Sequence, residues 1–192
     1  MLRNRVRALL PLAIVAIELA SCAPSPSADE IQLGEAPRPV RKLLHTGDPA
    51  PAFQVESTAG DSLDSAQLFG KSATVVVFFA TWCKVCEVKL PLVRETLADY
   101  GEVSTIAVSL DDVSTFHRAP EYLQRHGLRM PLVRGALYPE FVLAYDAPLG
   151  VPMVVIVGRD GTVVDVQSGW ASGHGERLRA ALDAARLPPT GN

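Results

Sequence analysis

The apolar run VVVFF at residues 75–79 constrains the fold of this chain more than any other segment. Because the run has no polar alternation, it predicts a strand buried on both faces, at the centre of a sheet. Trp82, Cys83 and Cys86 follow almost at once. We therefore expect the two cysteines where a central strand ends and a helix begins, which is where open α/β sheets carry their chemistry.

The rest of the domain, residues 40–192, alternates between strand and helix patterns and has the length of one domain with one core. Apolar or β-branched runs predict four strands, at Thr74–Phe79, residues 103–109, Met153–Val157 and residues 163–167. Helical spacing predicts four helices, at residues 83–100, 120–126, 138–145 and 176–186. The turn sequence RDGT at residues 159–162 predicts a hairpin, since Asp-Gly accepts positive φ angles. This order predicts an α/β fold with helices on both faces of the sheet.

The N-terminus predicts a protein of the cell envelope, lipid-anchored on the periplasmic side. Arginines among the first seven residues precede an apolar stretch over residues 8–20 that ends in small residues, which is the pattern of an export signal at residues 1–21. The last four residues, LASC at 19–22, resemble a bacterial lipobox, and this implies cleavage before Cys22 and a lipid on its thiol. An uncleaved N-terminal anchor is the alternative. Residues 22–39 are rich in proline, serine and alanine and predict a flexible tether.

The charge of the chain argues against nucleic acid as a partner. The sequence has 18 Lys+Arg and 21 Asp+Glu, and loss of residues 1–21 removes three arginines and one glutamate. The exported form is therefore mildly acidic and has no basic stripe. Nor does a polybasic segment follow the lipid site, so membrane attachment is expected to rest on the lipid.

The spacing of Cys83 and Cys86 favours a redox disulfide. Residues i and i+3 share a helix face, and a loose first turn brings them within disulfide range. The helix N-terminus and Lys84 are expected to favour the thiolate of Cys83. A structural zinc site usually takes four Cys or His ligands, whereas the histidines here are not paired at ligand spacing. A structural disulfide is the other alternative, although closing so short a loop removes little chain entropy.

Several motifs together resemble the TlpA/ResA-like branch of thioredoxin-fold thiol–disulfide oxidoreductases. They extend in order from Gly47 towards the C-terminus: GDPAPAF at 47–53, FFATWCKVC at 78–86, Pro91, VSLD at 108–111 and GVP at 150–152. The resemblance implies a thioredoxin-like fold, with a central mixed β-sheet, helices on both faces and an N-terminal β extension.

The same resemblance implies a role for each site residue. Cys83 would attack, Cys86 would resolve, and Pro152 would be a cis-proline that faces the disulfide and guides the substrate backbone. Pro91 would kink the active-site helix. Trp82 would contribute apolar contact surface, with a plain core position as the alternative.

The implied activity is reductive, such as keeping apocytochrome or other exported thiols reduced. Electrons would come from a membrane thiol reductase, and no metal or organic cofactor would be needed. Two departures concern the proton of Cys86, because the acidic residues of related proteins are replaced by Val77 and Lys89. The helix terminus and Lys84 are expected to stabilise the Cys83 thiolate and to make the couple more oxidising than thioredoxin, with Lys89 a more distant and better screened contributor.

Two other classes use a similar fold. A Sco-type copper chaperone has a Cys-x-x-x-Cys spacing and a distant histidine, but the spacing here is one residue shorter. A peroxiredoxin-type peroxidase needs threonine or serine three residues before its cysteine and proline four residues earlier. Ala80 and Val76 occupy those positions.

Overall fold

The computed structural model describes residues 43–187, so the predicted signal at 1–21, the lipid site Cys22 and the tether at 22–39 lie outside the described residues. The strands are β1 (Gln54–Glu56), β2 (Ser62–Asp64), β3 (Thr74–Phe79), β4 (Ser104–Ser109), β5 (Leu132–Arg134), β6 (Met153–Val157) and β7 (Val163–Ser168). The α-helices are α1 (Ser65–Leu68), α2 (Lys84–Leu97), α3 (Ala119–Arg125), α4 (Pro139–Ala144) and α5 (His174–Arg186). Short 3-10 turns precede α3, α4 and β6.

The main sheet has five strands in the order β5-β4-β3-β6-β7. Strand β3 lies at its centre and is buried at every position, as the sequence predicts. It pairs in parallel with β4 and antiparallel with β6, so the sheet is mixed. Strands β1 and β2 form a separate antiparallel pair, which is the expected N-terminal β extension.

Alternate residues of β3 face two different layers of the core. Val75, Val77 and Phe79 share a buried cluster with side chains of α2, α3 and α5, whereas Val76 and Phe78 share another with α4 and the N-terminal extension. Both faces of the sheet are therefore covered, and this is why β3 has no polar position. The fold predicted from the sequence, thioredoxin-like with helices on both faces, is confirmed.

Most predicted elements lie within two or three residues of the observed ones. Strands β3 and β6 match the prediction, helix α2 ends three residues earlier than predicted, and α5 begins two residues earlier. The sequence patterns do not predict four short elements individually, namely strands β1, β2 and β5 and helix α1. Each of these elements has only three or four residues, too few for a periodic pattern.

The predicted hairpin between β6 and β7 is present, but its backbone differs in one respect. The N–H of Gly158 donates to the carbonyl of Thr162 at 2.8 Å, which closes the turn. Gly161 has a positive φ of 78°, whereas Asp160 does not have a positive φ. The glycine alone supplies the left-handed conformation, and the Asp160 side chain instead accepts a hydrogen bond from the N–H of Thr162 at 2.9 Å.

Candidate active site

Cys83 caps the N-terminus of helix α2. Its Sγ accepts a hydrogen bond from the backbone N–H of Cys86 at 3.3 Å, and its own N–H donates to the carbonyl of Ala80 at 3.1 Å. A helix N-terminus stabilises negative charge because its N–H groups lack partners within the helix. Cys83 therefore lies at the helix N-terminus, as the sequence predicts, where the unpaired N–H groups favour a negatively charged sulfur.

Cys86 lies one turn further along α2 and is completely buried, whereas Cys83 is 7% exposed. Both are free thiols in this structure. Burial strongly raises the pKa of Cys86, and the contact with Cys83 and the charge of Asp111 raise that pKa further. The two residues therefore differ in exposure although they are three positions apart, and burial holds Cys86 in its neutral form.

Pro152 lies at the same edge of the sheet as the two cysteines. The Val151–Pro152 peptide bond is cis, as the resemblance implies. The thiol of Cys83 donates a hydrogen bond to the carbonyl of Val151 at 3.3 Å. This contact places the cis-proline loop directly against the more accessible thiol.

Trp82 is 64% exposed, so the core alternative for this side chain is wrong. It lines an apolar groove of about 570 Å³ together with Leu143 and Val151.

Lys84 is 90% exposed, and its Nζ lies 3.9 Å from a carboxylate oxygen of Glu87, so water and this carboxylate screen its charge. Pro91 lies inside α2, where it supplies no N–H for the helical hydrogen bond.

Asp111 belongs to the site, although the sequence does not indicate its role. Its carboxylate is fully buried and accepts hydrogen bonds from the N–H of Thr81 at 3.0 Å, the hydroxyl of Thr81 at 2.5 Å and the hydroxyl of Ser109 at 2.7 Å. These bonds tie the turn before Cys83 to the end of β4. Asp111 therefore holds the cysteine loop in place and also sets a negative charge near Cys86.

Lys89 occupies a different environment from the one expected, because its side chain is fully buried and is not screened by solvent. Its Nζ lies 3.0 Å from the Oε1 of Gln167 in β7 and 2.6 Å from the Nδ1 of His174 in α5. Asp165 and Arg177 form an ion pair beside these groups. The lysine is thus the centre of a buried polar cluster that joins α2, β7 and α5.

The protonation of this cluster follows from its burial. Burial lowers the pKa of Lys89 to about 8, and the charge of Arg177 lowers it further, while Asp165 acts in the opposite direction. Burial, followed by the charges of Lys89 and Arg177, lowers the pKa of His174. The backbone N–H of Ala171 donates to Nδ1 of His174 at 3.3 Å, so this nitrogen is an acceptor and the ring is neutral.

We expect the buried charge of Lys89 to make stability depend on pH. The folded pKa of about 8 lies below that of an unfolded lysine, so the unfolded state binds more protons between these values and stability rises with pH. Wild type should gain roughly 1–3 kcal/mol relative to Lys89→Met between pH 7 and pH 10. Urea unfolding of both proteins across this range measures the difference. Parallel pH curves would show that Lys89 is not a buried cation.

The central strand, the cysteine pair at a helix N-terminus and the facing cis-proline define a thioredoxin-fold protein with a redox-active dithiol. The family comparison agrees with this class. Residues 46–166 match the model of the AhpC/TSA family, and the chain belongs to that family.

Relatives of known name define the type of redox protein within this family. Thiol-disulfide oxidoreductase ResA from Bacillus thuringiensis is 27% identical over 128 residues, which cover 65% of this chain and 70% of that protein. The protein of the same name from Halalkalibacterium halodurans is 28% identical over 134 residues, covering 67% and 72%. The predicted resemblance to TlpA/ResA-like proteins is confirmed, and the protein is an enzyme of the thiol–disulfide oxidoreductase class.

Solved structures share the fold. A secreted Mycobacterium tuberculosis disulfide oxidoreductase homologous to E. coli DsbE has a TM-score of 0.57 at 22% identity, covering 69% of this chain and 95% of that one. A thiol:disulfide interchange protein of the thioredoxin family from Chlorobium tepidum also has a TM-score of 0.57 at 22% identity, covering 76% and 99%. At this level of sequence identity, the similarity shows a shared fold.

A copper chaperone and a peroxidase would each need a further group beside the cysteines. Residues 43–187 contain no group of three or more His, Cys, Asp or Glu side chains that could hold a metal ion, so a copper site would have no third ligand of these types in this part of the chain. The position where a peroxidase needs a hydroxyl is Ala80, which contributes only its backbone carbonyl to Cys83.

Proposed function

We propose that this protein reduces disulfides in other exported proteins, with Cys83 as the attacking thiol and Cys86 as the resolving thiol. The observation that carries this proposal is the unequal access of the two sulfurs. Cys83 is 7% exposed beside the cis-proline loop, whereas Cys86 has no exposed surface. A disulfide of a second protein reaches the first sulfur and not the second.

The reaction proceeds by two exchanges. The Cys83 thiolate attacks one sulfur of the substrate disulfide, the substrate S–S bond breaks, and the other substrate sulfur leaves as a thiolate that takes up a proton. Cys86 then loses its proton and attacks Cys83 in the mixed disulfide. The Cys83–Cys86 bond forms, the second substrate sulfur leaves as a thiol, and two electrons have passed to the substrate.

The surface around Cys83 suits a protein substrate. Trp82 and Val151 line the apolar groove next to the thiol, and Trp170 is 46% exposed in the loop after β7. The N–H of Gly169, which precedes Trp170, donates to the carbonyl of Pro152 at 2.8 Å, so this loop lies beside the cis-proline. Aromatic side chains with an exposed face supply contact area for an apolar segment next to a substrate cysteine.

A membrane thiol reductase would return the Cys83–Cys86 disulfide to the dithiol, and the lipid on Cys22 would keep the enzyme near that donor. Within residues 43–187, no helix is long and apolar enough to cross a membrane. In this proposal, membrane attachment depends on the lipid at Cys22 and on the export signal that precedes it.

Variants of the two cysteines test the order of attack. Cys86→Ser should accumulate mixed disulfides with substrate proteins, because the thiol that releases Cys83 is gone. Cys83→Ser should accumulate few, since the remaining thiol is buried. Non-reducing gels of alkylated extracts count the adducts, and the double variant is the control. Similar numbers of adducts from both single variants would overturn the assignment.

The reduction potential of the dithiol tests the direction of electron flow. For a reductive enzyme we expect a value nearer to that of thioredoxin, about −270 mV, than to that of DsbA, about −120 mV. We expect it to be more oxidising than thioredoxin itself, because the helix N-terminus favours the Cys83 thiolate and hence the reduced form. Equilibration with glutathione buffers of known ratio, followed by alkylation, measures it. A value close to that of DsbA, about −120 mV, would instead assign the enzyme to disulfide formation.

The proposed lipid anchor is tested by Cys22→Ser. This variant should move from the membrane fraction to the soluble fraction and keep wild-type disulfide reductase activity, because the proposed reaction uses only Cys83 and Cys86. Fractionation of cells followed by immunoblotting measures the distribution, and Ser21→Ala serves as a control that leaves the thiol in place. Membrane retention of the Cys22→Ser protein would contradict the lipoprotein proposal.

A further inference from the structure

The loop between β7 and α5 lies beside the cis-proline and carries an exposed tryptophan, Trp170. The N–H of Gly169 donates to the carbonyl of Pro152 at 2.8 Å, which joins the two loops. Strand β6 lies between β3 and β7, so the proline loop separates Trp170 from the cysteine turn along this edge of the sheet. A substrate segment that crosses the proline loop at Cys83 can therefore extend to Trp170, whose indole offers apolar contact area.

His174, the first residue of α5, holds this loop through two contacts. Its Nδ1 accepts a hydrogen bond from the N–H of Ala171 at 3.3 Å, and its ring packs edge-on against Trp170 with centroids 6.0 Å apart. The histidine itself is buried. One imidazole thus contacts both the indole and the backbone of the next residue, so the position of the imidazole determines where the indole lies.

The imidazole is held in turn by Lys89 of helix α2. The Nζ of Lys89 donates to Nδ1 of His174 at 2.6 Å and to Oε1 of Gln167 at 3.0 Å. Asp165 in β7 accepts from Nε2 of Gln167 at 2.8 Å and pairs with Arg177 in α5. Lys89, Asp165 and Arg177 are the charged groups that act on the histidine. Because Nδ1 accepts from its donors, the neutral ring carries its proton on Nε2.

Protonation of His174 would remove the bond to the loop. An imidazolium has a hydrogen on each nitrogen, so Nδ1 could not accept from Ala171 and would face the ammonium group of Lys89 as a second cation. Burial lowers the pKa of His174, and the charges of Lys89 and Arg177 lower it further, whereas Asp165 acts in the opposite direction. The neutral form that holds the loop therefore persists at neutral pH and is lost in acid.

We propose that His174 is the positioning residue for Trp170, which contacts an apolar side chain next to the reactive cysteine of the substrate. The inference deepens the proposed function and rests on it, because it concerns substrates that reach Cys83. Lys89 fixes the neutral ring in the orientation in which Nδ1 faces Ala171. Substrates with an apolar residue beside the cysteine are therefore bound more tightly than those with a polar one, and acid weakens this preference.

Single-turnover reduction of two peptide disulfides, with leucine or serine next to the cysteine, tests the preference at neutral pH. His174→Ala and Trp170→Ala should each raise the half-saturating concentration of the leucine peptide about fivefold. The double variant should raise it no further, because both changes remove the same contact. The serine peptide and the limiting rates should stay at wild-type values. His126→Asn is the matched control, since this histidine packs on Tyr122 at the end of α3.

The fluorescence of Trp170 tests its position without any reaction. The chain has two tryptophans, so Trp170 is the only one left in a Trp82→Phe background. Its emission should shift to longer wavelength below pH 6.5, the ordinary pKa of histidine, as the protonated ring releases the loop. Lys89→Met should move this shift to higher pH, because it removes a charge that lowers the pKa of His174.

His174→Asn separates positioning from a general loss of stability. Asparagine is a neutral acceptor that does not titrate, so this variant can still accept the N–H of Ala171. It should abolish the acid shift of the Trp170 emission and restore part of the leucine-peptide binding that His174→Ala loses. Unfolding curves identify the folded variants, and His174→Asn carries the test if His174→Ala does not fold.

The outcomes distinguish this inference from the function on which it rests. If the wild type reduces neither peptide through Cys83, the proposed function fails, while the emission of Trp170 still shows whether His174 positions it. If the wild type reduces both peptides and Trp170→Ala binds the leucine peptide equally well, the inference is overturned. It is also overturned if His174→Asn leaves the acid shift of the emission unchanged.

Discussion

The register of the strands that flank β3 determines where every residue of the site lies. Phe78 pairs with Met153, so Pro152, the next residue back along the chain, lies beside the end of β3 where the cysteine turn begins. On the other side Phe79 pairs with Ser109, which brings Asp111 next to Thr81. A slip of one residue in either pairing would turn the buried side chains of a strand to the wrong face and would also separate the thiol from its loop.

Burial distinguishes two chemically identical thiols. Cys83 caps helix α2, where a backbone N–H group donates to its sulfur, and 7% of the residue is exposed. Cys86 lies one helical turn inwards, where loss of hydration keeps it protonated. In the proposed reaction, this difference in burial sets the order in which the two thiols react. Cys86 would remain neutral until the mixed disulfide presents an electrophilic sulfur to it.

Much of this arrangement could be predicted from the sequence, because it depends on local patterns. An unbroken apolar run predicts a central strand, and the two cysteines behind it predict a redox helix. The remaining features depend on contacts between distant residues. Lys89 resembles a surface lysine until Gln167 and His174, 78 and 85 residues further along, enclose it.

The two departures from related proteins have different structural consequences. Val77 faces the layer of α2, α3 and α5, where an apolar side chain completes the core without a buried acid. Lys89 cannot be accommodated in this way, because a buried ammonium group needs acceptors. The chain supplies Gln167 and the neutral His174, and both positions lie close to the loop that carries Trp170. The ammonium group is thereby held by β7 and α5, so this departure, one helical turn beyond Cys86, becomes a polar link between α2 and both of these elements.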